Sequence, residues 1–443
     1  MTTRREFLGS IVLPAAAGAA AVSVAPAALG RLTPAMLEEL ANAPGTPEEI
    51  AQNEDYWATV QQAFTPDRSI INFNNGGVSP APRAVQEAHK RHLDFANTDS
   101  AWALWRIQEP QRETVRERVA RHWGVDPEEI AFTRNSSESL QICQQGMDLR
   151  KGDEVLTTTH DYPRMITTFK QRARREEIAL KQFKLPIPCE DPAQVVRLFE
   201  ENITPRTRMI LMCHIVNITG QILPVRAVVE MARKHGIPVV VDGAHALAHF
   251  DFKLSDLGCE YYGVSLHKWL HAPHGTGLLY VKKERIKDLW PLMAADEKQD
   301  TDIRKFEEIG THPAGPYLAI GDALTFHQAI GGPRKEARLR YLRDRWAKRL
   351  LAAGGSAAAK YKTKLHTSLR PEFSCGIGTI QVDGIDSTKI ADYLWEKHKI
   401  HVVAIKHDEF EGLRVTPSTY STLEEVDRFC EIMEGVIEKG LPG

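Results

Sequence analysis

The chain has 443 residues, 42% of them hydrophobic and 26% charged, and a formal net charge of −2. This is the make-up of a globular protein long enough for two or more cores, and it excludes a disordered or fibrous chain. No long run of one sign offers a footprint for nucleic acid or for a basic membrane surface, so small molecules or other proteins are the expected partners.

The first thirty residues stand apart. Thr3-Arg4-Arg5-Glu6-Phe7-Leu8 precedes an uncharged stretch from Gly9 to Leu29 that ends in the small-residue run Ala25-Pro26-Ala27-Ala28. A charged start, an apolar middle and an A-x-A-like site match an export signal, of the twin-arginine type by its paired arginines, unless the segment is an uncleaved anchor helix or the arginine pair is chance. Residues 1–28 are therefore expected to be removed by the twin-arginine export machinery's route, leaving a periplasmic or secreted protein. That route carries folded proteins, which suits a chain that acquires a cofactor before export. Six scattered cysteines (Cys143, Cys189, Cys213, Cys259, Cys375, Cys430) show no CxxC spacing and leave disulfide pairing open.

Residues 29–68 read as a helical segment. The turn Ala43-Pro44-Gly45 interrupts it, and Thr46-Pro47-Glu48-Glu49 restarts it as a capping box with proline at the first helical position. Residues 69–316 read as a large domain. It opens with a short strand at Ser69-Ile70-Ile71-Asn72-Phe73 and the turn Asn74-Asn75-Gly76-Gly77. Apolar runs then alternate with helical stretches: Ile130–Thr133, Glu154–Thr157, Met209–Cys213, Pro238–Val241, Tyr261–Val264 and Gly277–Val281. Continuous apolar strands separated by helices predict an α/β fold whose mostly parallel sheet is covered by helices on both faces. Residues 317–443 read as a long connector helix from Tyr317 to Ala353 and a smaller α+β domain. The latter is marked by Gly378–Val382, a helix from Ser387 to His398, and His401–Ala404.

In open α/β sheets the ligand lies beyond the carboxyl ends of the strands. The first strand leads into Asn135-Ser136-Ser137-Glu138, small polar residues that open a helix and offer its amides to a phosphate, or that serve as an ordinary cap. Pro238–Val241 leads into Asp242-Gly243-Ala244-His245. A carboxylate at a buried strand end calls for a cationic partner, such as a protonated pyridine nitrogen, unless it merely caps a helix. Tyr261–Val264 leads into Ser265-Leu266-His267-Lys268, an amine fit for a carbonyl carbon if burial lowers its pKa, and then into Pro273-His274-Gly275-Thr276-Gly277.

Together these motifs resemble the class V aminotransferase family of pyridoxal-phosphate (PLP) enzymes, with the isopenicillin N epimerase-like proteins as the nearest subgroup. The resemblance runs from about Asn72 to Asp427. It implies fold type I, the aspartate aminotransferase-like architecture, and a homodimer. It also implies that Lys268 holds the cofactor covalently and shuttles the proton, and that Asp242 pairs with the pyridine nitrogen. Ser136, Ser137, Ser265 and His267 would hold the phosphate, with Thr276 reaching that of the neighbouring subunit. Asn217 matches the asparagine near the phenolic oxygen, and His245 stands where glutamine is frequent. Tyr162 matches the position whose ring stacks on the cofactor. Arg414, in Leu413-Arg414-Val415-Thr416-Pro417, matches the arginine for the substrate carboxylate, a task suited to the forked guanidinium.

The resemblance implies chemistry at the α-carbon of an amino acid, or of an amino-acid residue in a peptide-like secondary metabolite, by epimerisation or transamination. A cysteine desulfurase or lyase is the alternative, but its nucleophilic cysteine belongs on the loop before the arginine. His401 to Arg414 contains none, and Cys375 is read as structural. A reading of another class is a histidine-rich metal protein, since His245 and His249, and His267 and His271, are each four apart with His274 nearby. No HExxH arrangement accompanies them.

Overall fold

The computed structural model describes residues 33–442, so the export signal read at Arg4 and Arg5 lies outside the described residues. Among them no helix is long and apolar enough to cross a membrane.

Seven strands form the central sheet: β2 (Ile130–Thr133), β3 (Glu154–Thr158), β4 (Ala179–Phe183), β5 (Thr207–Cys213), β6 (Val239–Asp242), β7 (Tyr261–Ser265) and β8 (Gly277–Val281), in the order β2-β8-β7-β6-β5-β3-β4. The pairs from β7 to β4 are parallel, and β8 runs antiparallel to both of its neighbours. Alternation along β5 explains why this sheet reads as unbroken apolar sequence. Met209 and Leu211 enter the core on one face while Ile210 and Met212 enter the core on the other. Strand β4 escaped the sequence reading because it lies at the edge, where Leu180, Lys181 and Gln182 remain partly accessible.

A second core belongs to the smaller sheet, β12 (Val403–Lys406), β13 (Glu411–Val415), β10 (Gly378–Val382) and β9 (Thr363–Leu365), all paired antiparallel. The strand expected at Ser69–Phe73 shortens to β1 (Ile71–Asn72) and pairs in parallel with β11 (Ile400–His401). Ile71 and Phe73 pack with Leu342, Trp346 and Phe429 in the second core, away from the large sheet. The chain thus starts in the smaller unit before building the larger one.

The connector is three helices in place of the single one expected, Gly315–Leu318, Ile320–Ile330 and Gly332–Gly355. Gly331, at φ +87°, takes a backbone conformation closed to other residues at little cost and breaks the run before Pro333. At the other end of the described chain, Thr46 and Glu49 form the reciprocal capping box that their spacing predicts.

Candidate active site

The carboxyl ends of β2, β3, β5, β6 and β7 open on one cavity of about 480 Å³, closed on the opposite side by Arg414 of β13 and by Gly76 and Gly77. Its size is that of a cofactor or small-molecule site. Ser136, Ser137, Tyr162, Asn217, Asp242, His245, Ser265, His267, Lys268 and Arg414 all line it. Residues that spacing could only place at separate strand ends therefore meet.

Lys268 is held at its head, with Nζ 3.0 Å from His245 Nε2. Burial keeps His245 far below the usual histidine range, so it is neutral and accepts this hydrogen bond. Burial also pulls the Lys268 ammonium down to about 8, against the opposing charge of Asp242. An amine in that range loses its proton near neutrality and becomes a nucleophile. Asp242 ends β6, accepts from the Ala244 amide at 3.0 Å, and is pushed up to about 6 by desolvation, with Lys268 offsetting part of the rise. A carboxylate in such a site gains from a cation held against it.

Two strands and one helix converge at Ser136. Its amide donates to Ser265 Oγ at 3.0 Å, and Ser265 Oγ donates to Ser136 Oγ at 2.8 Å. The helix Ser136–Gly146 is capped by Asn135, whose Oδ1 accepts from the Glu138 amide, so that with the Ser136 amide on Ser265 the Ser137 amide is left for an anion. His267 is anchored through Nδ1 to the Thr276 carbonyl at 3.0 Å, so its other nitrogen is free for the site.

Across the cavity, Arg414 donates to Asn74 Oδ1 at 2.9 Å and to the Asn217 carbonyl at 3.2 Å. It has no carboxylate partner among the described residues, and desolvation takes its pKa down to about 10. Three buried polar atoms of the lining lack a partner: Arg414 Nε, Asn217 Oδ1 and His245 Nδ1. Buried polar atoms are nearly always satisfied, so these mark places for a bound group.

One expected site residue lies outside the cavity lining. Thr276 is fully enclosed by its own chain, outside the cavity lining, and its hydroxyl donates to the Pro273 carbonyl at 2.6 Å. Its carbonyl has a local task, anchoring His267.

Four contributors escaped the sequence reading: Asn74, which orients Arg414, the Gly76-Gly77 wall, Cys213 and Arg164. The asparagine-glycine turn was visible, but its partner in β13 was not. The metal reading loses its geometry here. His249 accepts from the Gly376 amide through Nε2, engages the His245 carbonyl through Nδ1, and stacks on Trp269, so both nitrogens are used. The one histidine-acid cluster among the described residues is elsewhere, at His160, His407 and Glu409. There both nitrogens of His407 are taken by the Thr159 carbonyl and the Glu409 amide.

The sequence profile described as aminotransferase class-V matches residues 71–429. The chain belongs to the class V aminotransferase family. This class V enzyme is 30% identical to isopenicillin N epimerase of Streptomyces clavuligerus, over 86% of its own length and 98% of that protein's. The corresponding protein of Amycolatopsis lactamdurans is 29% identical, over 85% and 98%. Among solved structures, a cysteine desulfurase from Thermococcus onnurineus superposes with a TM-score of 0.72 at 23% identity, covering 84% of this chain and 95% of that one, a likeness of fold.

Pyridoxal phosphate is the cofactor of this class V enzyme, and the lining fits it. Ser136, Ser137, Ser265 and His267 suit its phosphate, Asp242 its pyridinium, and Lys268 its aldehyde carbon. When bound, the cofactor supplies an electron sink for a carbanion at the substrate α-carbon. With the cofactor bound, Lys268 would serve as the base, Asp242 would pair with the ring nitrogen, and Arg414 would be available to a carboxylate.

Proposed function

We propose that this class V enzyme acts at the α-carbon of an amino acid, or of an amino-acid residue within a secondary metabolite, as an epimerase or a transaminase. In this reading it works as a homodimer in the periplasm or outside the cell, after twin-arginine export. One observation carries the chemistry: Lys268 and Arg414 line the same cavity, with Asp242 in its floor. Arg414 takes the α-carboxylate in two parallel hydrogen bonds and so points the α-carbon toward Lys268. Lys268 removes or returns a proton on its own side. Epimerisation also requires a proton exchanged on the other side, a role this reading gives to Tyr162, which lines the cavity and is 38% exposed, or to a water. The similarity to isopenicillin N epimerases supports epimerisation, and the Arg4-Arg5 signal supports export.

The desulfurase alternative finds little support. The turn between β12 and β13 runs His407-Asp408-Glu409-Phe410, with no thiol. All six cysteines are buried and unpaired. Cys213 reaches the lining, but burial and the neighbouring carboxylates of Asp161 and Asp242 hold its thiol well above the usual range, unsuited to nucleophilic attack.

The test is incubation of the purified enzyme with single L- and D-amino acids and short peptides in deuterium oxide. Conversion to the other enantiomer with deuterium at the α-carbon supports epimerisation, and a keto acid supports transamination. Loss of sulfur from cysteine with neither would overturn the proposal. Lys268→Ala should leave no cofactor attached to protein after borohydride reduction, as read by mass spectrometry. Full attachment in that variant would remove Lys268 from its role.

A further inference from the structure

Arg164 lines the same cavity as Lys268 and Arg414, yet it is not among the residues suited to the cofactor or the α-carboxylate. It is the second residue of the helix Pro163–Glu176, directly after Tyr162, which caps that helix without a side-chain hydrogen bond. A guanidinium in the first turn of a helix faces the positive end of its dipole, an unfavourable place for a cation. Farther along the same helix Arg172 pairs with Glu176, and in the helix Gly332–Gly355 Arg345 pairs with Asp427. Among the described residues the Arg164 side chain has neither a carboxylate nor a hydrogen-bonding partner.

The charge of the lining is also one-sided. Asp242 is its single carboxylate, against Lys268, Arg414 and Arg164. Cofactor phosphate does not account for Arg164. The phosphate residues follow β2 and β7, whereas Arg164 follows β3, and β7, β6, β5 and β3 are successive neighbours in the sheet. Three interstrand steps of roughly 4.8 Å separate the two places by about 14 Å along the sheet edge. Tyr162, in contrast, stands two positions before Arg164 in the chain and is within electrostatic reach of Arg414. Arg414, Tyr162 and Arg164 thus line one cavity, Arg414 buried and Tyr162 and Arg164 exposed.

We propose that Arg164 forms a second anion subsite at the mouth of the cavity and selects substrates whose side chain ends in a carboxylate. The inference rests on the reading of Arg414 as the α-carboxylate site. A substrate so held has two anchored ends, with its α-carbon fixed over Lys268 between them, and an uncharged side chain leaves the Arg164 guanidinium to water.

Linear dicarboxylates test this without turnover. The holoenzyme is titrated calorimetrically at low ionic strength with glutarate, adipate and pimelate, each beside the straight-chain monocarboxylate of the same length. At least one dicarboxylate should bind about fivefold tighter than its counterpart, which is the gain from a partly exposed ion pair. That gain should shrink as salt is added, vanish in Arg164→Gln and survive in part in Arg164→Lys. Monocarboxylate affinity should be unchanged in both variants. Equal binding of the two series by the wild type, or equal weakening of both series in Arg164→Gln, would overturn the subsite while leaving the α-carbon reading intact. Failure of either series to bind the wild type would overturn the Arg414 reading and this inference together.

Discussion

Replacing Arg414 with methionine separates its task in binding from its place in the fold. The guanidinium is almost wholly buried, and desolvation takes its pKa down to about 10. For a cation a lowered pKa means that the fold disfavours the charged form. At about 1.4 kcal/mol per tenfold change in proton affinity, keeping it charged opposes folding by roughly 3 kcal/mol. Its two hydrogen bonds, to Asn74 Oδ1 and the Asn217 carbonyl, return about 1.5 kcal/mol each as bonds to a charged group. The two contributions nearly cancel, and methionine keeps most of the aliphatic contact. Arg414→Met is therefore expected to change stability by less than about 2 kcal/mol. Loss of the ion pair should weaken binding of a simple carboxylate by about 2 kcal/mol or more, roughly thirtyfold. Urea unfolding of wild type and variant at equal cofactor occupancy reads the first quantity, and calorimetric titration with a monocarboxylate reads the second. A variant destabilised by about 4 kcal/mol that still bound carboxylate normally would refute this reasoning, since it would make Arg414 a structural cation.

The cofactor-free protein should take up its cofactor faster as pH rises, levelling off above about 8, because only the unprotonated Lys268 amine attacks an aldehyde. Asp242 raises the Lys268 pKa through its charge, so Asp242→Asn should move the midpoint of that rate profile to lower pH. A midpoint that stayed or rose in stopped-flow absorbance would count against the coupling. Gly277→Ala should reduce cofactor affinity at least tenfold. A β-carbon there would lie 2.6 Å from Asn135 Cα and push β8 against the cap that presents the phosphate-binding amides. The same overpacking should lower stability by about 1 to 3 kcal/mol. Equilibrium dialysis checks the affinity, and unchanged binding would mean that the cap yields without consequence.

The helical and extended segments were legible where a local pattern reports burial. The six apolar runs from Ile130 to Val281 each coincide with a strand, because both faces of the large sheet are covered and a buried strand carries no polar alternation. The capping box at Thr46 and Glu49 was legible for a related reason, since both of its hydrogen bonds lie within three residues. Asp242 and Lys268 stood out as polar groups closing such runs. Edge strand β4 and the functional strand β13 carried weaker signals, one because of its exposure and the other because Gly412 and Arg414 interrupt its apolar pattern.

The sequence by itself determined which segments are buried and which chemical groups end them, because these depend on residues a few positions apart. Partnership across hundreds of positions was decided only by the tertiary structure. Asn74 holds Arg414 from 340 positions away. Ile71 pairs with Ile400 in the smaller unit, and the Thr276 hydroxyl turns to the Pro273 carbonyl. Arg164 reads in the sequence as one more surface arginine, and only the convergence of β3, β6, β7 and β13 places it in the lining of the same cavity as Arg414, without a carboxylate partner. The physical reason is common to all of these: periodicity records how much water a residue loses, whereas the identity of what replaces that water depends on chain closure in three dimensions.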